Sequence, residues 1–380
     1  MLSIVSSFSH LSGHYWPYTV DLANAMTAEG SGVTVYAALP PRDGILDTNP
    51  LVSWKSCCLW TLLLKSIEQR NLSWSSRTEA LLRNLEFSIC LRRALAASEN
   101  SHIHCIEARH RILLKAVLRS NRRFSALCVG SPAAAARIKL GDLYKRAFAT
   151  GRLKFIVETE AVRRDWEDLA VEHVVHIPVA LAERTEPMLS KQEARNRLGL
   201  PEEAFIALFF GTHREGKDYR TAIEAAKLAE SHPYLLFAGP LISGNDPEAL
   251  LKELEYDHAA VWNRYFLDDG ASELFDACDV VMLPYAKGYE KGSAVLLQAC
   301  KYGRPVIASD TGHLAEFVNA HQTGLLYELE EPQDLAAIYD SMAFAERNVL
   351  GKLEENIEKT RQEYSWGKLV SRYLGVFSPS

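Results

Sequence analysis

The sequence predicts an α/β protein made of two Rossmann-like domains that face each other across a cleft. Short apolar segments alternate with helical segments along most of the chain, which is typical of parallel sheets covered by helices on both faces. The alternation restarts after an irregular polar segment near Thr185. A chain of 380 residues is long enough for two domains that each bury their own core.

The first half of the chain contains predicted buried strands at residues 2–5, 33–37, 103–106, 126–129 and 155–157. Apolar residues recur with helical spacing at residues 18–28 and over a long region at residues 51–97. In the second half, strands are predicted at residues 205–210, 234–238, 261–266, 280–283 and 306–308. Helices alternate with these strands at residues 219–230, 247–255 and 272–278. We place the domain boundary at Thr185, so that the first domain covers residues 1–185.

The composition, with 48% hydrophobic and 24% charged residues, is that of a soluble globular protein. The N-terminal segment lacks the basic start and the long apolar stretch of a signal peptide, and no run of about 18 apolar residues predicts a membrane-spanning helix. The seven cysteines form no CxxC pair and show no metal-ligand spacing. This pattern favours reduced core thiols and a cytoplasmic location.

The net charge of −6 is unevenly distributed. Residues 1–185 contain 23 Lys and Arg against 17 Asp and Glu, whereas residues 186–380 contain 19 against 31. The basic half favours an anionic partner, although a solvated basic face explains the charge equally well. The apolar segment 51–70, with its tryptophans and basic residues, suits either an interfacial helix at a membrane or a core helix with a basic rim. We expect no nucleic-acid partner.

A phosphate-binding loop is predicted after the first strand of the second domain. The sequence FFGTHREGKD ends this strand at Gly211 and places Arg214 and Lys217 directly before a helix. Cations beside the free N–H groups of a helix N-terminus suit a phosphate or diphosphate. Basic residues in such loops are often only solvated, so this loop alone leaves both interpretations open.

A second loop in the same domain offers a carboxylate followed by small residues. It comes after the strand at residues 280–283 and contains Glu290, and a helix then opens through Lys291, Gly292, Ser293 and Ala294. Open α/β sheets bind ligands at the carboxyl ends of their strands, and small residues allow a phosphate or sugar to approach closely. Glu290 is predicted either to accept hydrogen bonds from sugar hydroxyls or only to cap the helix.

From residue 204 to residue 318 the sequence resembles the donor-binding domain of GT-B glycosyltransferases of the retaining, family-4 type. The resemblance rests on motifs in one order: FFGTHREGKD, ELFDACDVVMLPY, the E-x7-E region with GRPVIAS behind it, and the trailing Gly312 and Glu316. The first half is similar only in its strand–helix rhythm and in Gly13 of its first loop. The segment WGKLVSRYLGVF is similar to the family's last helix. The resemblance thus implies that residues 186–360 bind the donor and that residues 361–380 cross back to the first, acceptor-binding domain.

The resemblance implies a role for each matching residue. Lys217 stands at the family's donor-diphosphate lysine. Arg214 is its basic partner, although the family arginine more often directly follows the glycine, where this chain has Thr212. Glu290 stands at the first glutamate of E-x7-E, which contacts the transferred sugar. The resemblance also implies that the amides of Gly292, Ser293 and Ala294 face the sugar and phosphates. It implies that Gly13 stands in a loop near the diphosphate and that Glu316 binds substrate in a less defined way.

Two positions depart from the family pattern. Gln298 replaces the second glutamate of the motif, which holds a ribose hydroxyl of the nucleotide. A glutamine keeps a carbonyl acceptor but no charge, so the hydrogen bond is weaker without being lost. Many relatives have a histidine after the strand at residues 126–129, where this chain reads Gly130, Ser131 and Pro132. The histidines of the first half are expected to be structural or exposed rather than catalytic: His14, His102, His104 and His110.

The resemblance implies transfer of a sugar from a nucleoside-diphosphate sugar to an acceptor hydroxyl, with retention at the anomeric carbon, in polysaccharide or glycolipid assembly. It implies no metal and no other cofactor. The implied acceptor is a glycan or a lipid-linked molecule, with peripheral contact at the inner membrane face. Two alternatives stay open: a nucleotide-sugar 2-epimerase of the same fold, and a non-catalytic partner subunit, which Gln298 and the missing histidine favour.

Overall fold

The structure is a computed structural model of the chain, and it describes residues 1–6, 15–38, 49–57, 76–97, 102–106, 108–128, 134–166, 171–244, 246–266, 268–289 and 292–378. The chain divides into two compact units. Unit 1 comprises Met1–Ala180 together with Trp366–Ser380, and unit 2 comprises Leu181–Ser365. Sequence analysis placed the second domain at residues 186–360.

The strands of the described residues are β1 (Leu2–Ser6), β2 (Val33–Ala37), β3 (Ser53–Ser56), β4 (His102–Ile106), β5 (Phe124–Cys128), β6 (Leu153–Val157), β7 (Val174–His176), β8 (Ile206–Phe210), β9 (Tyr234–Ala238), β10 (Ala259–Trp262), β11 (Val280–Leu283), β12 (Val306–Ser309) and β13 (Gly324–Tyr327). The helices are α1 (Tyr15–Ala28), α2 (Ser76–Ala96), α3 (His110–Arg119), α4 (Ala134–Phe148), α5 (Glu160–Arg164), α6 (Lys191–Leu198), α7 (Tyr219–Leu228), α8 (Pro247–Glu253), α9 (Asp268–Ala277), α10 (Ala294–Lys301), α11 (Gly312–His321), α12 (Pro332–Ala343), α13 (Arg347–Glu363) and α14 (Trp366–Phe377).

Unit 1 is built on a seven-stranded sheet in the order β3-β2-β1-β4-β5-β6-β7, and all of its strand pairs are parallel. Helices α2, α3 and α4 cover one face through Phe87, Leu113 and Phe148. Helices α1 and α14 cover the other face and pack against each other. The hydroxyls of Tyr18 and Tyr373 join these two helices at 2.6 Å. The last helix of the chain therefore completes the core of the unit in which the chain begins.

Unit 2 is built on a six-stranded sheet in the order β10-β9-β8-β11-β12-β13, again with parallel pairs throughout. Its strands are buried on both faces, which explains their near-continuous runs of apolar residues. One core cluster involves α9, α10 and α11, and the other involves α7 and α12. Parallel strands are joined by right-handed crossover connections that contain helices. In unit 2 these helices cover both faces of the sheet.

The structure confirms the predicted fold class of two Rossmann-like α/β domains with parallel sheets. Two elements differ from the predictions. Residues 53–56, predicted as part of a long helix, form edge strand β3 beside β2. This strand is only half-buried, so its four residues lack the apolar signal of a core strand. The strand predicted at residues 261–266 is β10, which ends at Trp262.

Candidate functional site

The strand order of unit 2 reverses between β8 and β11. From β8 the chain moves outward to β9 and β10 and then returns to β11 on the other side of β8. The loops after β8 and β11 therefore leave the same edge of the sheet at a topological switch point, where open parallel sheets bind ligands. The loop that contains Lys217 and the loop that leads to Ser293 both lie at this point.

Two glycines bring the loops after β8 and β9 into backbone contact. Gly239 has a φ of 156°, and a Cβ at this position would lie 2.0 Å from the carbonyl oxygen of Gly211. The N–H of Gly211 donates to Ala238 O at 2.9 Å. Only glycine permits so close an approach, so Gly239 fixes the start of the loop that carries Lys217.

The side chain of Lys217 is buried, with an exposed fraction of 7%. Its Nζ donates to Phe210 O at 3.3 Å and lies 5.9 Å from the centre of the Tyr219 ring. Burial and, to a smaller extent, the charge of nearby Arg214 lower the pKa of Lys217 to about 8. A buried ammonium is costly in a folded protein, and lysines with a lowered pKa concentrate at functional sites.

Backbone hydrogen bonds tie the two loops together beside Lys217. Lys217 and Tyr285 form an antiparallel bridge. The N–H of Asp218 donates to Pro284 O at 2.7 Å, and the N–H of Ala286 donates to Gly216 O at 3.0 Å. The carboxylate of Asp218 then caps helix α7 by accepting from the N–H of Thr221. The position of Lys217 is therefore set by the backbone of both loops.

Ser293 is the N-cap of helix α10 and is buried. Its Oγ accepts from the N–H of Leu296 at 3.3 Å and lies 3.0 Å from the hydroxyl of Tyr285. Tyr285 also stacks on Tyr289, with ring centres 4.0 Å apart, and the Tyr289 hydroxyl donates to Gly292 O. These contacts aim the N-terminus of α10, with its remaining free N–H groups, at the edge where Lys217 lies.

Arg214 is exposed in the loop between β8 and α7. Its guanidinium is close enough to influence Tyr289: burial raises the pKa of this tyrosine, and Arg214 opposes the rise. Arg214 therefore lies on the same side as the start of α10. An exposed cation and a nearby buried cation form a suitable pair for a diphosphate.

The structure brings together five of the predicted site residues at the switch point: Arg214, Lys217, Gly292, Ser293 and Ala294. Gln298 is half-buried one turn farther along α10, and Glu316 is exposed on α11 after β12. Gly13 and Glu290 lie outside the residues that the structure describes, as do Lys291 and the segment at residues 129–133.

One residue of this region was missed by the sequence analysis. His213 is fully buried between Gly211 and Lys217, and its Nδ1 lies 2.6 Å from the Tyr219 hydroxyl. Its backbone N–H donates to Pro240 O, and its carbonyl accepts from Ile242. Burial, with a further contribution from Lys217, lowers the pKa of His213 to about 4, so the ring is neutral at pH 7. The signal in the sequence that could have indicated His213 as a site residue was its position between Gly211 and Lys217 in the predicted phosphate-binding loop.

The histidines of unit 1 occupy structural positions. His102 and His104 are buried on β4, and both rings lie within 2.8 Å of the Ser125 hydroxyl. His110 pairs with the Tyr144 hydroxyl at 2.6 Å. His14 is not among the described residues. Burial holds the pKa of His102 and of His104 at about 3, which keeps both rings neutral at physiological pH.

In the described part of the chain, no three His, Cys, Asp or Glu side chains lie together as metal ligands. Among those same residues, no helix is long and apolar enough to cross a membrane. The described cysteines form no disulfide with one another, and all but Cys57 are buried.

Comparison with known proteins relates the second half of the chain to one family. Residues 190–361 match the family of glycosyl transferases group 1. A D-inositol 3-phosphate glycosyltransferase of Salinispora arenicola is 29% identical over 196 residues, which cover 48% of this chain and 43% of that protein. The chain thus spans about half the length of the curated relatives it matches.

Solved structures show the same fold over the whole chain. The sucrose-phosphate synthase of Thermosynechococcus elongatus has a TM-score of 0.70 at 17% identity and covers 99% of this chain and 98% of its own. Anabaena HepE, solved in complex with UDP and glucose, has a TM-score of 0.66 at 14% identity, with 98% of both chains covered. Residues 190–361 are therefore similar to group 1 glycosyltransferases, and the chain has the fold of these GT-B structures.

Proposed function

We propose that the protein transfers a sugar from a nucleoside-diphosphate sugar to an acceptor hydroxyl. The observation that carries this proposal is the buried ammonium of Lys217, held by two loops beside the N-terminus of α10. Such an arrangement stabilises the negative charge that a diphosphate gains as it leaves a sugar. The group 1 family match supports the proposal independently.

On the donor side, Lys217 and Arg214 neutralise the leaving diphosphate, and the first N–H groups of α10 donate hydrogen bonds to a phosphate or sugar oxygen. Glu290 orients the transferred sugar, and Gly13 is a further candidate residue for binding the substrate. Gln298 offers the ribose a neutral carbonyl acceptor. Transfer proceeds with retention, because the leaving phosphate accepts the proton of the acceptor hydroxyl on the same face of the sugar. No step in this scheme requires a metal.

The names of similar proteins and the ligands in their structures guide the choice of probes. The HepE structure contains UDP and glucose, so UDP-glucose is the first donor to test. The names of two similar proteins contain D-inositol 3-phosphate and sucrose phosphate, which are a phosphorylated polyol and a phosphorylated sugar. We propose a glycan, a lipid-linked molecule or a phosphorylated polyol as the acceptor, and a role in polysaccharide or glycolipid assembly.

A basic surface on unit 1 supports peripheral contact with an anionic membrane. Residues 108–154 contain twelve Lys and Arg residues and a single acidic residue, Asp142. Helices α3 and α4 pack side by side, and their exposed cations are Arg111, Lys115, Arg119, Lys139, Lys145 and Arg146. Each basic residue near an anionic surface contributes about 1 kcal/mol to binding. Co-sedimentation with phosphatidylglycerol vesicles, but not with phosphatidylcholine vesicles, is the expected result.

The donor site is tested by a thermal-shift screen against UDP-, GDP- and ADP-sugars, since a ligand of the folded state raises the melting temperature. Lys217→Ala and Glu290→Ala are expected to lower transfer strongly, whereas Lys227→Ala, an exposed lysine on α7, serves as the matched control. Rates within a few-fold of wild type for the first two variants contradict the proposal.

The same assays separate the two alternative functions. A 2-epimerase turns over a UDP-sugar without any acceptor, so product formed from donor alone identifies it. A non-catalytic partner subunit binds no nucleotide sugar at all, a possibility that Gln298 keeps open.

A further inference from the structure

Glu158 directly follows β6 in unit 1, at the carboxyl edge of the sheet. Side chains of a strand alternate between the two faces. Phe155 and Val157 belong to the core under α2, α3 and α4, whereas Ile156 belongs to the opposite core under α1 and α14. The same alternation places Glu158 on the α1 and α14 side, at the edge where parallel α/β sheets bind ligands.

The carboxylate of Glu158 has a buried oxygen without a hydrogen-bond partner. Its Oε1 is inaccessible to solvent and accepts from no group in the described part of the chain. Burial raises the pKa of Glu158 from its ordinary value of 4.5 to about 7. Buried polar atoms in native proteins are almost always paired, and an unpaired carboxylate with a raised pKa is typical of a functional site.

A pair of tyrosine hydroxyls lies near this carboxylate. Tyr18 of α1 and Tyr373 of α14 share a hydrogen bond of 2.6 Å. Burial is the main cause of the raised pKa of both tyrosines, and the negative charge of Glu158 raises both further. Only one hydrogen is used between the two hydroxyls, so the pair retains a second hydrogen in the neighbourhood of Glu158.

The neighbouring carboxylate provides an internal contrast. Glu160 is paired with Arg163 at 2.5 Å and lies 3.4 Å from His176. The Nε2 of His176 in turn lies 3.2 Å from the backbone oxygen of Glu158, and burial lowers the pKa of this histidine. The cations and the imidazole of this edge therefore engage Glu160 or the backbone rather than the Glu158 side chain.

The geometry points to Glu158 as an acceptor-positioning residue, whose half-buried carboxylate takes a hydrogen bond from a hydroxyl of a polyhydroxylated acceptor. This inference rests on the proposed transfer function and adds the acceptor contact to it. A hydroxyl fits an adjacent acceptor and donor, since it both donates and accepts. A phosphate does not fit beside a carboxylate, because the two negative charges repel each other.

Acceptor binding is then expected to depend on the ionisation of Glu158. The ionised carboxylate is a stronger hydrogen-bond acceptor than its protonated form. The titratable groups around Glu158 do not ionise in the same pH range. The pKa values of Tyr18, Tyr373 and Cys128 are raised, and the pKa of His176 is lowered. The acceptor kcat/KM therefore rises as the pH passes through about 7.

The test compares Glu158→Gln with the matched control Glu160→Gln in the full-length protein. UDP-glucose is the donor, and myo-inositol, methyl α-D-glucoside, D-inositol 3-phosphate and glucose 6-phosphate are the acceptor probes. In Glu158→Gln we expect the acceptor KM to rise about tenfold. The donor KM, and the rate of UDP release measured without acceptor, should both stay within twofold of the wild-type values. The pH-dependent rise near pH 7 disappears in this variant and persists in Glu160→Gln.

Thermal melts provide a second readout that does not depend on the acceptor. Because the folded-state pKa of Glu158 lies above its unfolded value, the protein loses stability as the pH rises from about 4.5 to about 7. Glu158→Gln is expected to lack this loss and to melt no lower than wild type at pH 8. An unchanged acceptor KM in a folded variant overturns the inference, as does donor binding with no response to any probe. If wild type binds no nucleotide sugar, the proposed function itself fails.

Discussion

The backbone of Lys217 pairs with that of Tyr285, so the buried lysine after β8 is aligned by the loop that leads to α10. Tyr285 in turn reaches the N-cap Ser293 through its hydroxyl at 3.0 Å. A cation, an aromatic ring and a helix N-terminus thus form one connected unit. A substitution of Lys217, Tyr285 or Ser293 is therefore expected to change the positions of the other two residues.

The first prediction concerns the pH dependence of donor binding. The lowered pKa of about 8 means that Lys217 loses its charge as the pH rises through that value. Affinity for UDP-glucose, measured by calorimetry, should therefore fall above pH 8. Lys217→Ala should weaken binding about 10- to 100-fold at pH 7, as expected for loss of a charged hydrogen bond.

The control for this prediction is Lys217→Arg, which keeps its charge at high pH. If it still binds the donor, its affinity should remain constant between pH 7 and pH 9. An alkaline fall of the same size in Lys217→Arg would assign the titration to another group.

The second prediction separates the two roles of Ser293. Ser293→Ala removes the N-cap of α10 and is expected to cost about 1 kcal/mol in the free energy of unfolding. Ser190→Ala removes the N-cap of α6, where Ser190 forms a capping box with Glu193. Chemical denaturation should show similar losses for both variants, whereas only Ser293→Ala should also lower donor affinity. If Ser293→Ala and the wild-type protein have equal donor affinities, Ser293 acts only as the N-cap of α10.

The third prediction concerns the contact between Gly239 and Gly211. A methyl group on Gly239 collides with a backbone oxygen at 2.0 Å, so Gly239→Ala should prevent stable folding of unit 2. Gly199→Ala is the control, because Gly199 has a φ of 65° but open space around it. This control should cost only about 1 to 2 kcal/mol. Comparable melting temperatures for the two variants would contradict the contact.

The fourth prediction concerns the hydrogen bond between Tyr18 and Tyr373. Each single change to Phe should lower the free energy of unfolding of unit 1 by about 1 kcal/mol, because it leaves a buried hydroxyl without its partner. The double variant should cost clearly less than the sum of the two single changes. Additive effects would mean that the two hydroxyls do not interact in solution.

The sequence predicted the elements whose signal is local. The strands at residues 33–37, 234–238 and 280–283 coincide with β2, β9 and β11, because buried parallel strands are continuous apolar runs. Lys217 and Ser293 were found because a cation and small residues precede helices at the ends of such strands. Local signals of this kind can be recognised in the sequence without any knowledge of the tertiary structure.

The remaining features depend on tertiary contacts. His213 and Glu158 look like ordinary loop residues in the sequence, and only the packing around them makes one a buried neutral ring and the other an unpaired carboxylate. Strand β3 is stabilised by pairing with β2 rather than by its own apolar residues. The close contact at Gly239 likewise depends on a neighbouring strand that lies more than twenty residues away in sequence.

The return of α14 to unit 1 has a consequence for biosynthesis. During translation, unit 2 is complete before α14 leaves the ribosome, whereas unit 1 still lacks Val370, Tyr373 and Phe377 on one face of its sheet. Domains generally fold as units during synthesis. Unit 1, whose strands precede unit 2 in the chain, therefore completes its core only after unit 2, and until then part of the apolar face of its sheet is uncovered.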